Sequence, residues 1–266
     1  MMKVMKKNLW CGLAAVLAIC GIMTFAACSE PDDSQDNVVK PVYLDKLAIA
    51  HPDLTGNPTK VVTLYNTWEQ GRLVKQQQET KNMQNGEPQT SVSTVFFSYT
   101  EGRCTEIKSE KSVSTFTYDA EGRLTTGVKR ENNGDTETLT VKSFSSGGEI
   151  LQMESTKVTQ SGTEKLVYDL TWKNGDLVKY TEHAIEPAGE DVTVEKTFDA
   201  YPSAFMGYPL AQSFIDGPFG LAERASKHNH IKTDDKYIYE NGRLTVHKTV
   251  NNAAYFSYSD GTGKIK

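Results

Sequence analysis

This sequence has few cysteines and no excess of positive charge. Four cysteines occur in 266 residues and three of them precede residue 29, so the body of the chain carries Cys104 alone. A disulfide framework is therefore excluded for the body. Lys and Arg number 29 against 34 Asp and Glu, which excludes nucleic acid as a partner, because such proteins need a basic surface.

Short catalytic signatures are also missing. The chain contains no Gly-x-Ser-x-Gly, His-Glu-x-x-His, Walker or dinucleotide-binding pattern, and each of these patterns positions a specific nucleophile, metal or phosphate. We therefore expect no cofactor, and the sequence favours a protein that is not an enzyme. A hydrolase whose carboxylates lie scattered in loops stays the least favoured hypothesis.

The first 27 residues have the layout of a secretory signal. Three lysines near the start are followed by an uncharged apolar run over residues 9–27, which is the charged-then-apolar order of a signal peptide. The alternative is a transmembrane helix. The segment Phe25-Ala26-Ala27-Cys28 resembles the bacterial lipobox. The resemblance implies cleavage before Cys28, lipidation of Cys28, and attachment to the membrane through this N-terminal lipid.

Residues 28–40 are predicted to form an acidic, flexible tether. Glu30, Asp32, Asp33 and Asp36 occur before the first base, Lys40, and such charge runs stay solvated. The run after the cysteine resembles the export signal of Bacteroidetes-type surface lipoproteins. That resemblance implies an outer-membrane lipoprotein that faces the cell exterior, with the periplasmic face as the alternative.

One hairpin pattern recurs through residues 41–266. An aromatic residue precedes a short polar turn with glycine, and a charged residue and an aliphatic one follow. The clearest copies are Trp68 to Leu73, Tyr99 to Cys104, Tyr118 to Leu124, Trp172 to Leu177 and Tyr239 to Leu244. Asn-Gly at two of these turns is typical of a two-residue type I′ hairpin loop. We therefore expect each aromatic residue to face the aliphatic residue across the strand pair.

Apolar residues two positions apart precede these turns, which indicates strands with one buried face. Glycine spacings of 12 to 14 residues between residues 122 and 189 predict an antiparallel up-and-down meander. The expected fold is all-β, with roughly 14 strands in a single domain. Because open sheets rarely grow much past ten strands, we expect a barrel-like or strongly curved sheet, with a two-layer sandwich as the alternative. Charged residues on both strand faces argue against a membrane-spanning barrel.

The segment from Tyr118 to Thr125, Tyr-Asp-Ala-Glu-Gly-Arg-Leu-Thr, resembles the YD repeat of Rhs-type proteins. Together with the lipobox and the tether, the chain resembles uncharacterised Bacteroidetes surface lipoproteins built from such repeats. Some of those relatives are described as porin-like in fold. The resemblance implies that shape and carries no activity with it.

The repeat is interrupted by an aromatic insert at residues 201–230. Proline at position 209 and glycine at 217 predict a short helix between them, and a second is expected at residues 220–227, so the helical part spans about 209–227. A long apolar insert in a compact domain is either packed against the body or functional. It is expected to be a plug over the sheet or, alternatively, a ligand-binding lid.

Aromatic residues and histidines are the candidate ligand-binding groups. Sugar stacking is considered for five aromatic residues, with core packing as the competing interpretation. They are Trp68, Trp172, Tyr201, Phe205 and Tyr208. His228 and His230 are candidate metal ligands, although two imidazoles without a third ligand are more typical of a solvated loop.

The turn arginines are Arg72, Arg103, Arg123 and Arg243. They are interpreted as cross-strand ion pairs rather than an anion-binding ladder. Lys173 and Asp176 hold the reversed charges at the same positions of another copy, which a salt bridge tolerates and an anion site does not.

The favoured function is a non-catalytic binding or interaction module on the cell envelope, with a glycan or a protein segment as the partner. The alternative is a purely structural envelope component with a plugged interior.

Overall fold

The computed structural model describes residues 42–52, 58–84, 87–249 and 251–259. The predicted signal peptide, Cys28 and the acidic tether lie outside the described residues. Among the described residues, no helix is long and apolar enough to cross a membrane.

Seventeen strands are defined in the described part of the chain. They are β1 (Tyr43–Pro52), β2 (Pro58–Glu69), β3 (Arg72–Gln84), β4 (Glu87–Thr100), β5 (Arg103–Ser109), β6 (Ser112–Tyr118), β7 (Leu124–Glu131), β8 (Thr136–Phe144), β9 (Ile150–Thr159), β10 (Gly162–Lys173), β11 (Asp176–Glu186), β12 (Val192–Glu195), β13 (Thr197–Pro202), β14 (His228–Ile231), β15 (Lys236–Glu240), β16 (Arg243–Lys248) and β17 (Ala253–Ser259). The helical segments are α1 (Leu210–Ile215), α2 (Gly217–Gly220) and a π-helical turn (Leu221–Ala225).

Fifteen of the strands form one antiparallel sheet. The order runs from β12 down to β1 and continues through β17 and β16 to β15, while β13 and β14 pair separately. The all-β meander is thus confirmed, with one strand more in the sheet than expected. The order has two ends, β12 and β15, so the predicted barrel or strong curvature is not confirmed.

The hairpin turns have the predicted backbone conformation. Asn174 and Gly175 both have positive φ, 56° and 84°, and Asn241 and Gly242 have 50° and 73°, as a type I′ turn requires. The strand register also places each predicted aromatic residue opposite its aliphatic partner. Trp172, for example, faces Leu177. Turn chemistry therefore sets the register of the strand pairs.

A β-bulge follows each of these turns and was not predicted. In the β4–β5 hairpin, Ser98 pairs with Glu106 and Tyr99 with Cys104, which leaves Thr105 as the extra residue. The Thr105 hydroxyl donates to the Ser98 carbonyl at 3.5 Å. The equivalent hydroxyls of Thr125 and Thr245 make the same contact at 3.2 Å. Bulges increase the local twist, so the same end of successive hairpins is twisted in the same way.

Successive hairpins are linked by their aromatic residues. Polar atoms of these side chains donate to the carbonyl of the aliphatic position in the neighbouring hairpin. The pairs are Trp68 with Leu44, Tyr99 with Leu73, Tyr118 with Cys104, Trp172 with Ile150 and Tyr258 with Leu244, at 2.7 to 2.9 Å. The buried tyrosine and tryptophan polar groups are thereby satisfied.

The turn arginines contact aromatic rings, which corrects part of the ion-pair prediction. Arg72 lies over Tyr99, with 5.7 Å from the guanidinium carbon to the ring centroid, and Arg243 lies over Tyr258 at 5.6 Å. Glu69 does face Arg72 in the register, but within the described residues neither Arg72 nor Arg243 makes a salt bridge. Of the predicted kind of pair, Arg123 contacts Asp119 at 2.7 Å. The turn cations therefore act mainly by covering the neighbouring aromatic residue.

The core lies between one face of the sheet and the insert. Sheet side chains with almost no exposure include Leu47, Leu64, Leu139 and Met153. Phe214 of α1 is fully buried against this face, and a Cβ built at Gly127 of β7 would lie 3.1 Å from its ring. Glycine at 127 thus allows the insert to approach the sheet closely.

Candidate functional site at the edge of the insert

The C-terminal end of the insert is bonded to the β10–β11 hairpin, and the N-terminal end is bonded to the C-terminal end. The Lys227 amide donates to the Gly175 carbonyl at 3.1 Å, and the Leu177 amide donates to the Ser226 hydroxyl at 3.0 Å. The Ser203 amide bonds the Lys227 carbonyl at 2.9 Å, which holds the two ends together. The insert is therefore closed on itself where it meets the hairpin turn.

A cleft of about 410 Å³ lies at this junction. It is lined by the β10–β11 turn on one side and by β13 and His228 on the other. The lining mixes cations, carboxylates, an amide and an aromatic ring. The residues used below are Lys173, Asn174, Asp176, Phe198, Asp199 and His228. The cleft is open to solvent and lined mostly by polar residues, unlike the enclosed and largely apolar pockets that bind most small molecules, so it can offer a ligand mainly hydrogen bonds.

Asp176 organises the first wall of the cleft. Its carboxylate accepts from the His228 backbone amide at 3.0 Å and lies 2.8 Å from His228 Nδ1. The Asp176 side chain is 8% exposed and the His228 side chain 31% exposed. The carboxylate thus fixes the imidazole orientation while the ring stays partly accessible. The predicted cross-strand partner of Asp176 was Lys173, which faces it in the register, so the hydrogen bond of Asp176 to His228 is a correction.

Asp199 organises the second wall. It accepts from the Asn229 amide at 3.1 Å and from the Asn229 side chain at 3.0 Å, and from the Tyr239 hydroxyl. Burial and this hydrogen bond raise the pKa of Tyr239. Tyr201 stacks on Tyr239 with ring centroids 4.2 Å apart. The result is an aromatic pair held in place beside the cleft, with Tyr201 on its exposed side.

A cluster of charged side chains joins the π-helical turn to β14 and to the residue before β13. Glu223 of the π-helical turn lies 2.9 Å from Lys196 Nζ and 2.8 Å from His230 Nδ1. Burial alone would raise the pKa of the Glu223 carboxyl, but the His230 hydrogen bond and the two neighbouring cationic groups outweigh it and lower this pKa to about 2. The carboxylate therefore stays charged at every ordinary pH and links the π-helical turn to β14 and to Lys196, the residue before β13.

The structure separates the five candidate aromatic residues. Trp68, Phe205 and Tyr208 are less than a tenth exposed; Trp68 and Tyr208 lie 5.2 Å apart between ring centroids, and the Tyr208 hydroxyl contacts Asn66. Trp172 is half-buried beside the turn. Tyr201 is 43% exposed. Only Tyr201 therefore presents much ring surface near the cleft, and the sugar-binding role of all five stays a prediction.

The two candidate metal ligands have different carboxylate partners, Asp176 for His228 and Glu223 for His230. Among the described residues, no group of three or more His, Cys, Asp or Glu side chains could hold a metal ion. His228 therefore links the insert to β11, whereas His230 bonds Glu223 within the insert.

Asp176, Asp199 and Glu223 were missed by the sequence analysis. Asp176 and His228 are 52 residues apart, and Asp199 and Tyr239 are 40 apart, so no local pattern connects them. The one available signal was Asp176 itself, because the residue after the turn glycine is arginine in the other clear copies of the repeat and aspartate here.

Comparison with solved structures shows a likeness of fold. A crystal structure of a porin-like protein from Bacteroides uniformis ATCC 8492 matches with a TM-score of 0.56 and 14% sequence identity, over 81% of this chain and 98% of that chain. No family model and no curated protein matches the sequence. At this identity the likeness concerns the all-β architecture alone.

Proposed function

We propose that this chain is a lipid-anchored cell-envelope protein that faces the cell exterior and binds a short glycan, without catalysis, in the cleft at the edge of the insert. The lipobox and acidic tether support the location. The likeness to a porin-like protein is compatible with an envelope protein.

The cleft carries the binding part of this proposal. Asn174 and His228 offer hydrogen-bonding groups, and Phe198 offers an apolar surface. The exposed Tyr201 ring is not part of the lining, but the Tyr201 amide donates to the lining residue Asp199 at 2.9 Å. Sugars present alternating hydroxyls and C–H faces, so they suit sites that pair polar groups with aromatic rings. Tyr239 and Asp199 fix the Tyr201 side of the site before any ligand arrives, which lowers the cost of ordering it on binding.

A glycan-array screen followed by calorimetry on the full chain tests this function. Asn174→Ala and Tyr201→Ala should each weaken binding about tenfold, the usual scale of one lost polar or stacking contact. Tyr255→Ala is the matched control, because Tyr255 is a similarly exposed tyrosine on β17, and it should leave affinity unchanged. Binding that survives both cleft variants, or peptides that bind where no glycan does, would contradict the glycan assignment.

Curvature of the sheet belongs to the same proposal. His228 of β14 bonds Asp176 of β11, while Asp199 of β13 contacts Tyr239 of β15. The separate β13–β14 pair therefore contacts strands near both ends of the sheet, which supports a curled arrangement. A flat sheet of fifteen strands would separate its edges by about 65 Å. Spin labels at Thr193 and Ile238, on the two edge strands, should lie at less than half that distance, and a separation near the flat value would refute curling.

A structural role is the second candidate, and the burial of the insert favours it. Tyr208, Phe214 and Leu221 are almost fully buried, so the insert fills the space over the sheet as a plug would. Under this alternative the screen finds no ligand and the cleft variants behave as the parent does.

A further inference from the structure

The central strands β3 and β4 leave one edge uncovered. β4 pairs with β5 only from Val95 to Thr100, whereas its pairing with β3 continues to Glu87. Within the described residues, 87–94 therefore have a strand neighbour on one side only. Side chains 87–93 are all exposed, so this half of the hairpin has solvent on both faces and along its free edge.

Apart from Glu87 and Pro88 at its start, this edge lacks the usual protection against pairing. Natural sheets shield their edges with charges, short strands, prolines or bulges. The two terminal strands of the sheet are short and have charged residues at their ends. β12 has four residues and follows Glu190 and Asp191, and β15 has five residues, from Lys236 to Glu240. Residues 89–94 read Gln-Thr-Ser-Val-Ser-Thr, without charge and with β-branched residues at alternate positions.

We propose that residues 89–93, which follow Pro88, pair antiparallel with the same residues of a second copy of this chain. Antiparallel strands related by a twofold axis put a residue opposite itself at the centre. Centred on Ser91, the pairing places Thr90 opposite Val92 and Gln89 opposite Ser93. No like charges meet, and the paired segment stops before Val95, from which point β5 is the neighbouring strand in each copy.

The absence of charge favours a second copy over a charged peptide. A neutral edge offers nothing to attract an acidic or basic peptide, whereas two copies of residues 89–93 meet without opposing charges. Main-chain hydrogen bonds carry the contact, since the flanking side chains are small and polar. The dimer is therefore weak and depends on concentration. It is independent of the cleft and of the proposed glycan.

Disulfide trapping on the full chain in detergent tests the pairing directly. Ser91→Cys should give a crosslinked dimer under mild oxidation, above the background of the parent's own cysteines. Ser161→Cys, at an exposed turn on another hairpin, is the control and should stay at background. Equal crosslinking by both variants, or none by Ser91→Cys, would overturn the proposal.

Light scattering during gel filtration gives a second readout. The parent mass should rise toward twice the monomer value with concentration, and Val92→Lys should abolish the rise by placing a charge in the pairing. Val158→Lys, at a valine of nearly equal exposure on β9, should behave as the parent. A parent that stays monomeric at all concentrations, or a dimer unaffected by Val92→Lys, contradicts the assignment.

Discussion

Glu223 shows at the residue scale how the insert is attached. Its carboxylate contacts Lys196 and His230, and the side chains of both partners are only 9% exposed. A buried ion pair adds little net stability over an apolar pair, but removing one member leaves an uncompensated charge. The cluster therefore makes this position sensitive to substitution and to acid.

Glu223→Gln should lower the free energy of unfolding by about 3 kcal/mol. The folded pKa of Glu223 is lowered, so its contribution is complete above the unfolded pKa near 4.5 and is lost as pH falls through the folded value of about 2. Urea titrations between pH 6 and pH 2 check both effects, with Glu195→Gln, an exposed partner of Lys179, as the control. A parent and variant whose stabilities fall in parallel below pH 4.5 would contradict the role of this carboxylate.

Gly242 sets the backbone of one turn. Its φ is 73° and a Cβ would meet nothing within 4 Å, so only backbone strain opposes a side chain there. Gly242→Ala should destabilise by about 1 kcal/mol. Gly147→Ala, at a turn glycine without positive φ and with ordinary contacts, should be neutral or slightly stabilising. Thermal unfolding measures both, and equal melting temperatures for the two variants would argue against the strained turn.

The elements show which features local sequence determines. Glycine positions and the alternation of apolar residues were sufficient to place the hairpins and their facing pairs, as with Trp172 and Leu177. The first helix was also predicted, since Pro209 and Gly217 bound it. The bulges were not, because the extra residue is defined only by the partner strand. The pairing of β1 with β17 joins segments about 200 residues apart, which no local pattern encodes.

The insert is the element on which the core depends. Phe214 is fully buried between α1 and the sheet, so Phe214→Ala should cost about 3 to 5 kcal/mol through lost burial and the cavity left behind. Phe219 of α2 is 39% exposed, and Phe219→Ala should cost far less. Chemical denaturation of the two variants compares them. Similar losses for both would mean that the insert is not packed as described.

For the whole molecule, the proposed location depends on the N-terminal segment, which lies outside the described residues. Its lipobox-like sequence ends at Cys28, an acidic run follows, and the first described strand begins at Tyr43. Stable anchoring needs more than one acyl chain, which lipidation at an N-terminal cysteine would supply. The domain would then be held at a membrane surface without inserting a helix.

Cys28→Ala should abolish lipid labelling and release the protein from the membrane fraction. Metabolic labelling with a fatty-acid analogue and fractionation of cells measure both effects. Cys20→Ala is the matched control, because Ile19 makes that site a poor lipobox, and it should label as the parent does. Label that persists in Cys28→Ala would refute the anchor.

Hydrogen–deuterium exchange on the full chain, with and without the best-binding glycan, tests the central claim most directly. We predict that glycan slows exchange at residues 173–178, 196–200 and 228, which line the cleft or lie beside its lining. Residues 87–94 should be unchanged. Protection that appears only on the far half of the β3–β4 hairpin, or nowhere, would contradict a binding cleft at the edge of the insert.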